Sequence, residues 1–519
     1  FSNIIGAADG LQPLPPSAVQ MQGWLSSRLE RTEKKMRELR TLDGIDKTVY
    51  WKTPPAGQTW EKDNWGADFV GRWLEATSSM EAYGLASFDQ VPVMQGLLKY
   101  QQSDGHIGIS KTVNSHWGDS RGLIGLVSMA ANGNQEALAA AKKLAGYYGQ
   151  CLEKNDWKDW GATMAQGLEG LVALYRLTKD PKDLAVAEGI AERGMKIGWL
   201  IYLPNHSHSI LTFQRGLADL AEASGKSYYL IRCEDYWEHV GSKHVFYNGS
   251  YPEITPSRGY NEGCTTADWL RLNLKLWRLT RNVRYLDVAE RTVFNGLPFD
   301  QNPDGSFVSG RNLVGGGGSP CDFCCTHHGA QAFIELAQNI FTLKNPSFKV
   351  TGPGSATSQI PSVLYVNFFV PAVANVSLPD GTKAKITLAG DYPVGNKVLL
   401  NFDSGPAVLE LRLRIPTSAR EEGLSEITLN GNPIPVVKNR EFVSIRPPLG
   451  QWQAGDQLQL SCPASLTKEE TFVSEIGGNA FAFWHGPLLL AGKDAKDNPP
   501  EIVKDLVNSP LSSFKRVNL

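Results

Sequence analysis

The chain has 519 residues, enough for two or three domains and a large buried core. Hydrophobic residues make up 42% and charged residues 20%, which is ordinary globular composition, and the net charge is −2. That balance argues against a nucleic-acid or anionic-membrane partner, since there is no basic run with interleaved aromatics and no apolar stretch of roughly 18 residues that would span a bilayer.

The chain opens on Phe1-Ser2 without Met or a signal-type apolar run and reads as a processed protein, expected to be secreted or extracytoplasmic. Residues 1–17 read as an N-terminal extension. From 18 to 345 the apolar period is helical, as in Phe69, Trp73, Ala76, Met80 and Tyr83. An internal repeat supports this: Leu174 to Glu188 matches Leu276 to Glu290, and Leu217 to Leu230 is a weaker echo. Each unit reads as a helix, a short turn and a second helix. Helical hairpins recurring about every 50 residues must stack to bury their apolar faces. Six of them would close into an (α/α)6 toroid with a central funnel suited to a polar ligand, an open solenoid being the alternative.

From 346 to 519 the period becomes two. Leu409 to Ile415 alternates and stops at Pro416, and Asn430-Gly431-Asn432-Pro433 and Ala454-Gly455-Asp456 punctuate further short strands. This predicts an antiparallel β-sandwich, with the boundary at Asn345 to Ser347 and Gly352 to Ser358.

Three of the seven cysteines, Cys321, Cys324 and Cys325, fall within five residues, a pattern of a site and not of a disulfide framework. With Glu262 and Cys264 they offer soft sulfur donors and a carboxylate, the set that completes a tetrahedron around Zn2+. Cys321, His327 or His328 can stand in for one member. Such a site is equally readable as a structural zinc or as buried thiols. A catalytic role requires an acid nearby, and Glu253 in a Gly/Pro-rich loop is one candidate, with a solvated loop carboxylate as the plain alternative. His206 and His208, at the head of a helix, suit substrate hydrogen bonds or helix capping. Asp63 and Asp68 are a possible acid pair for an inverting hydrolase, but their spacing seats both on one wall of a funnel.

These residues resemble glycoside hydrolase family 127, the zinc-dependent β-L-arabinofuranosidases. The resemblance runs through Arg72 to Ala76, Gln101 to Gly105, Ala173 to Arg176, Gly216 to Ala221, Glu262-Gly263-Cys264 and Cys324-Cys325. In the sandwich it continues through Leu364 to Asn367, Asp391 to Pro393, Leu413 to Pro416 and Gly486-Pro487. It implies a retaining glycosidase acting on an oligosaccharide or glycan of the plant type. Glu262, Cys264, Cys324 and Cys325 would be its zinc ligands, Cys324 its nucleophile and Glu253 its acid/base. His206 falls on a sugar-contacting histidine of the family, and His208 joins it as a substrate-binding candidate. The sequence departs from the family where Thr326-His327-His328 replaces Pro-Pro-Asn and where His106 replaces a Tyr after Asp104-Gly105. It departs again where counting to a second contacting histidine lands near Met164 and Gln166, so His106 and Gln166 become candidate sugar contacts. A two-carboxylate glycosidase with structural zinc and a non-catalytic carbohydrate-binding protein are the competing readings, and the oligomeric state stays open.

Overall fold

The computed structural model describes residues 10–41, 66–108, 111, 113–154, 161–197, 205–255, 259–312, 317–322, 324–349, 358–447, 449–473 and 478–490. Its helices are α1 (Gly23–Thr41), α2 (Gly66–Tyr83), α3 (Gln90–Leu98), α4 (Val113–Ala131), α5 (Gln135–Lys154), α6 (Gly161–Ala165), α7 (Leu168–Thr178), α8 (Pro181–Gly194), α9 (Ser207–Ser224), α10 (Ser227–His239), α11 (Gly263–Thr280), α12 (Arg284–Arg291), α13 (Leu297–Asp300) and α14 (Cys325–Ile340).

Six of these form an inner ring. Going round, α2 packs on α4, α4 on α7, α7 on α9, α9 on α11, α11 on α14, and α14 on α2, which closes the toroid. Each inner helix carries an outer partner: α3, α5, α8, α10 and α12 follow theirs in sequence, and α1 backs α14. Burial follows from this position. Every residue of α11 from Gly263 to Trp277 is buried, whereas α12 buries only Tyr285, Leu286, Ala289 and Glu290. A helix buried all round belongs in a core, and an amphipathic one belongs on its rim.

The internal repeat marks the turn from inner to outer helix. Lys179 after α7 and Arg281 after α11 occupy matched repeat positions, both at φ 57° as left-handed C-caps, and Gly225 after α9 takes the same conformation. Among the described residues no helix is long and apolar enough to cross a membrane.

The β region stacks two larger sheets and one small one. Ser362–Val366, Leu409–Arg414 and Phe442–Ile445 lie in a six-stranded sheet, and Ala372–Ser377, Lys383–Gly390, Lys397–Ser404 and Gln457–Ser461 in a seven-stranded one. Pairing is antiparallel except between Ser362–Val366 and Leu409–Arg414, which run parallel. Residues ahead of the first helix join in: Gln12–Pro13 pairs with Phe341–Lys344, and Val19–Met21 edges the seven-stranded sheet. Leu466–Val473, Gly478–His485 and Leu488–Leu489 form the third sheet. Of the expected boundary, Asn345 to Ser347 leads into Ser347–Lys349, which pairs with Ser358–Ile360, and 352–357 lies outside the described residues.

The β region is fixed to the toroid by buried contacts. Arg414 reaches Glu290 at 2.8 Å and Asp287 at 2.8 Å on α12, and Trp277 of α11 packs its ring against Tyr365 and Phe442. Arg420 also pairs with Asp287, at 2.6 Å, so two guanidiniums meet the two carboxylates at this seam.

Candidate active site

The first turns of α2, α9, α11 and α14 meet at one end of the toroid and form the floor of the funnel. Almost every candidate from the sequence sits there. Asp68 opens α2, His208 opens α9, Cys264 opens α11, and Cys325 is the first residue of α14 with Cys324 as its N-cap. Unpaired N–H groups and the positive ends of helix dipoles gather at such a floor and favour anionic side chains.

The cysteines meet because a small antiparallel sheet folds back on itself. Tyr260–Glu262 pairs with Val308–Asn312, which pairs with Gly317–Pro320, and this returns the chain to the start of α11. Cys321 N then donates to Phe307 O at 2.7 Å, and the Thr326 hydroxyl accepts from Phe307 N at 3.0 Å. The start of α14 turns the adjacent cysteines onto one point.

Cys324 Sγ is the hub. It lies 3.5 Å from Cys325 Sγ, 3.5 Å from Cys321 Sγ, 3.7 Å from Cys264 Sγ and 3.8 Å from Glu262 Oε1. The donor atoms of Glu262, Cys264, Cys324 and Cys325 all lie within 4.8 Å of one another, a set that can hold a metal ion. Cys321 touches Cys324 but stands outside that set. His327 is turned away, packing edge-on to Phe69 at 5.4 Å.

Within the cluster the protons divide unevenly. Hydrogen bonds from Cys264, Cys321 and Cys325 converge on Cys324 and hold its pKa well below the ordinary thiol value, against burial. Burial pushes Cys264 and Cys325 well above theirs. The centre therefore concentrates negative charge on Cys324, the most connected sulfur.

Beneath the cluster, the candidates Asp68, His208 and His328 meet Arg72 and Asp268, which the sequence does not single out. Arg72 Nη1 donates to His208 Nε2 at 2.9 Å and to His328 Nε2 at 2.6 Å, and Arg72 Nε donates to Asp68 at 2.9 Å. Arginine only donates, so both Nε2 atoms are acceptors and both histidines are neutral with the proton on Nδ1. Each Nδ1–H donates to Asp268, at 2.5 Å from His208 and 3.1 Å from His328. Arg215 completes the carboxylate's partners. Helical spacing was the available signal: Asp268 is four residues after Cys264, His328 four after Cys324, and Arg72 four after Asp68, each one turn below the floor.

On the funnel side, His206 keeps 31% of its side chain exposed and sets Nε2 3.5 Å from Glu262 Oε2. Burial works against its charged form, but Glu262, then Cys324 and Glu253, outweigh it and raise its pKa. Glu253 is half-buried, and its carbonyl accepts from Ser207 N at 2.9 Å, tying the Glu253 loop to the head of α9. Trp117 stacks near both His206 and His208, at 5.7 Å and 6.4 Å between ring centroids.

Two candidates sit elsewhere. His106 is buried with His116 around Asp119, its Nδ1 2.8 Å from the carboxylate. Gln166 is buried against Arg121, 3.5 Å from its guanidinium. Asp63 lies outside the described residues, and Asp68 is fully buried in its ion pair with Arg72.

A closed toroid of six helical hairpins, with thiols and a carboxylate gathered at its funnel floor and β-sheets behind, has the architecture of a glycoside hydrolase. Residues 22–337 match the β-L-arabinofuranosidase GH127 catalytic domain, and residues 363–464 match the GH127 middle domain. The chain belongs to glycoside hydrolase family 127.

Solved structures agree on the fold. The GH127 β-arabinofuranosidase BT3674 superposes with a TM-score of 0.74 at 18% identity, covering 93% of this chain and 86% of that one. Ara127N, a GH127 β-L-arabinofuranosidase from Geobacillus stearothermophilus T6, gives 0.69 at 17% identity, covering 91% and 86%. No curated protein matches the chain.

Proposed function

We propose that this chain is a retaining, exo-acting β-L-arabinofuranosidase-like hydrolase that removes terminal sugars from plant-type glycans, with the Cys324 thiolate as nucleophile. The observation that carries the reading is the position of Cys324 Sγ, within 3.8 Å of Glu262, Cys264, Cys321 and Cys325. Zinc fits the donor set. A tetrahedron with Zn–S bonds of about 2.3 Å has edges of about 3.8 Å, and the edges from Cys324 to Cys325, Cys264 and Glu262 are 3.5, 3.7 and 3.8 Å. Glu262, Cys264, Cys324 and Cys325 would hold the ion, and bound there it supplies positive charge that keeps several close thiols ionised together.

The remaining chemistry belongs to the chain. Glu253 gives its proton to the departing glycosidic oxygen while Cys324 Sγ attacks the anomeric carbon, so a C–S bond forms as the C–O bond breaks. Water then attacks the same carbon, Glu253 takes its proton, and the C–S bond breaks to restore the thiolate. His206, beside both Cys324 and Glu253, suits a hydrogen bond to a sugar hydroxyl. Polymeric glycans do not cross membranes, which supports a site of action outside the cytoplasm.

The test is product stereochemistry by NMR, with aryl furanosides and pyranosides as substrates, beside Cys324→Ser. Retention, and loss of nearly all turnover in the variant reloaded with excess zinc, support the thiolate. Inversion, or near-normal turnover in Cys324→Ser, overturns it in favour of two carboxylates around a structural metal.

A further inference from the structure

At the opposite end of the toroid from the cysteine cluster, a cavity of about 310 Å³ opens between the C-terminal halves of the inner helices. The groups that matter on its wall are Arg176, Asp219, Lys275, Arg278, Gln331 and Glu335. The internal repeat places three of them, since Arg176, Asp219 and Arg278 fall on matching positions of α7, α9 and α11.

Most of these groups are already satisfied. Asp219 takes Lys275 and Arg176, and Glu335 takes Arg271 at 2.6 Å. Two groups are not. Gln331 is 1% exposed, and its Nε2 has no hydrogen-bond partner. Its orientation is settled, because Oε1 accepts from Arg271 Nη1 at 2.5 Å and a flipped amide would point N–H at a guanidinium. Arg278 donates to Asn339 at 3.0 Å and, among the described residues, has no carboxylate within ion-pair distance.

The hydroxyls on the wall leave little to donate. Ser79 and Ser128 give their protons to backbone carbonyls of Glu75 and Ile124. The unpartnered buried group is therefore an amide N–H, beside a guanidinium without a carboxylate, on a wall with three cationic and two anionic side chains. Helix C-termini explain cations at this end of the toroid. They do not explain an amide donor buried without an acceptor, which costs free energy unless something fills the role.

We propose that this cavity is a binding site for a small oxyanion, phosphate or carboxylate, gripped by Gln331 Nε2 and the Arg278 guanidinium. A phosphate ion and a sugar acid share that chemistry, and both fit the space.

Isothermal titration of the full-length, metal-loaded chain with inorganic phosphate, and separately with glucuronate, tests it. At least one of the two binds saturably, one per chain, and which one identifies the source of the oxyanion. Arg278→Gln weakens that binding at least tenfold. Gln331→Glu abolishes it, because the carboxylate still accepts from Arg271 but presents an acceptor to the cavity. Cys324→Ser leaves it unchanged, which separates this site from the funnel. No saturable binding of either probe, or equal affinity in Arg278→Gln, overturns the proposal. Arg278 is only partly buried, so its variant decides the matter even if Gln331→Glu fails to fold.

Discussion

Cys324 Sγ lies 3.7 Å from Cys264 Sγ, although 60 residues separate them in the chain. The contact joins the first turns of α11 and α14, and it makes a ligand set that can be dissected one sulfur at a time. Cys264→Ser and Cys325→Ser are expected to lose the metal, because each removes one of four donors. Cys321→Ser is expected to keep it, because Cys321 touches Cys324 but stands outside the four. Elemental analysis of the purified variants reads this directly. If zinc is the proposed ion, removing it with a chelator should also lower stability, by about 4 kcal/mol where free zinc had stood 1,000-fold above its Kd.

Arg72 carries a second prediction. It is buried, pairs with buried Asp68 at 2.9 Å, and bridges His208 and His328. Arg72→Met leaves the Asp68 carboxylate buried without its cation, a change that costs roughly 3–5 kcal/mol. Asp68→Asn in the same chain removes that stranded charge and should restore part of the loss. Urea unfolding of the two single variants and the double variant closes the cycle. Additive losses would mean that Asp68 and Arg72 act independently, against the geometry.

The toroid was legible in the sequence because its hairpins repeat, and a repeat with a helical period has few closed solutions. Glu262, Cys264, Cys324 and Cys325 were legible because thiols crowded into a few residues are rare. Arg72 and Asp268 were not, since a buried arginine and aspartate on helices look like any amphipathic pair until the helices are ranged around one axis. The one parallel pair among the described residues, Ser362–Val366 with Leu409–Arg414, was hidden for a related reason: alternation reports which face is buried, and says nothing of strand direction. His106 and Gln166 came from counting along the chain. The structure seats them against Asp119 and Arg121, whose own sequence neighbourhoods carry no distinguishing pattern.

Acid should destabilise the protein through the histidine layer. Burial lowers the pKa of both His208 and His328, with Arg72 adding to it against the pull of Asp268, and His328 falls to about 3. A histidine depressed in the native state binds fewer protons than its unfolded counterpart, so stability rises with pH between the two values. For His328 that window runs from about 3 to the ordinary 6.5. Asp268 adds the same sign lower down: burial raises its pKa, but Arg215, His328 and His208 outweigh it, so its contribution is present above 3.8 and lost as pH falls. The layer's own contribution to the unfolding free energy should therefore be flat above about 6.5 and fall below it, by up to ~1.4 kcal/mol per pH unit for each histidine, while Asp300, which burial raises to about 7, and His206, whose pKa is raised, act in the opposite sense. His328→Gln should flatten the slope between about pH 6 and pH 4, and an unchanged slope would mean that His328 is charged in the native state.

Gly263, between the proposed ligands Glu262 and Cys264, tests how closely the two helix starts must approach. A Cβ on Gly263 would stand 3.0 Å from Phe307 Cβ, 3.1 Å from Val308 O and 3.3 Å from Cys325 Cβ. Two of these neighbours belong to the chain that returns toward the cysteines, and the third is on a ligand. Gly263→Ala must therefore push α11 away from α14, widening the gap that Cys324 and Cys264 span. Overpacking of this kind costs roughly 1–3 kcal/mol, and here part of it should appear as weaker metal binding. Competition with a chromophoric chelator measures that part, and thermal unfolding of the metal-free protein measures the rest. Gly96→Ala is the control: Gly96 lies within α3, and a Cβ there would meet nothing within 4 Å, so alanine should stabilise by roughly 0.5–1 kcal/mol and leave metal affinity alone. Equal metal affinity in Gly263→Ala and the unaltered chain would show that the cluster tolerates a wider gap than the tetrahedron allows.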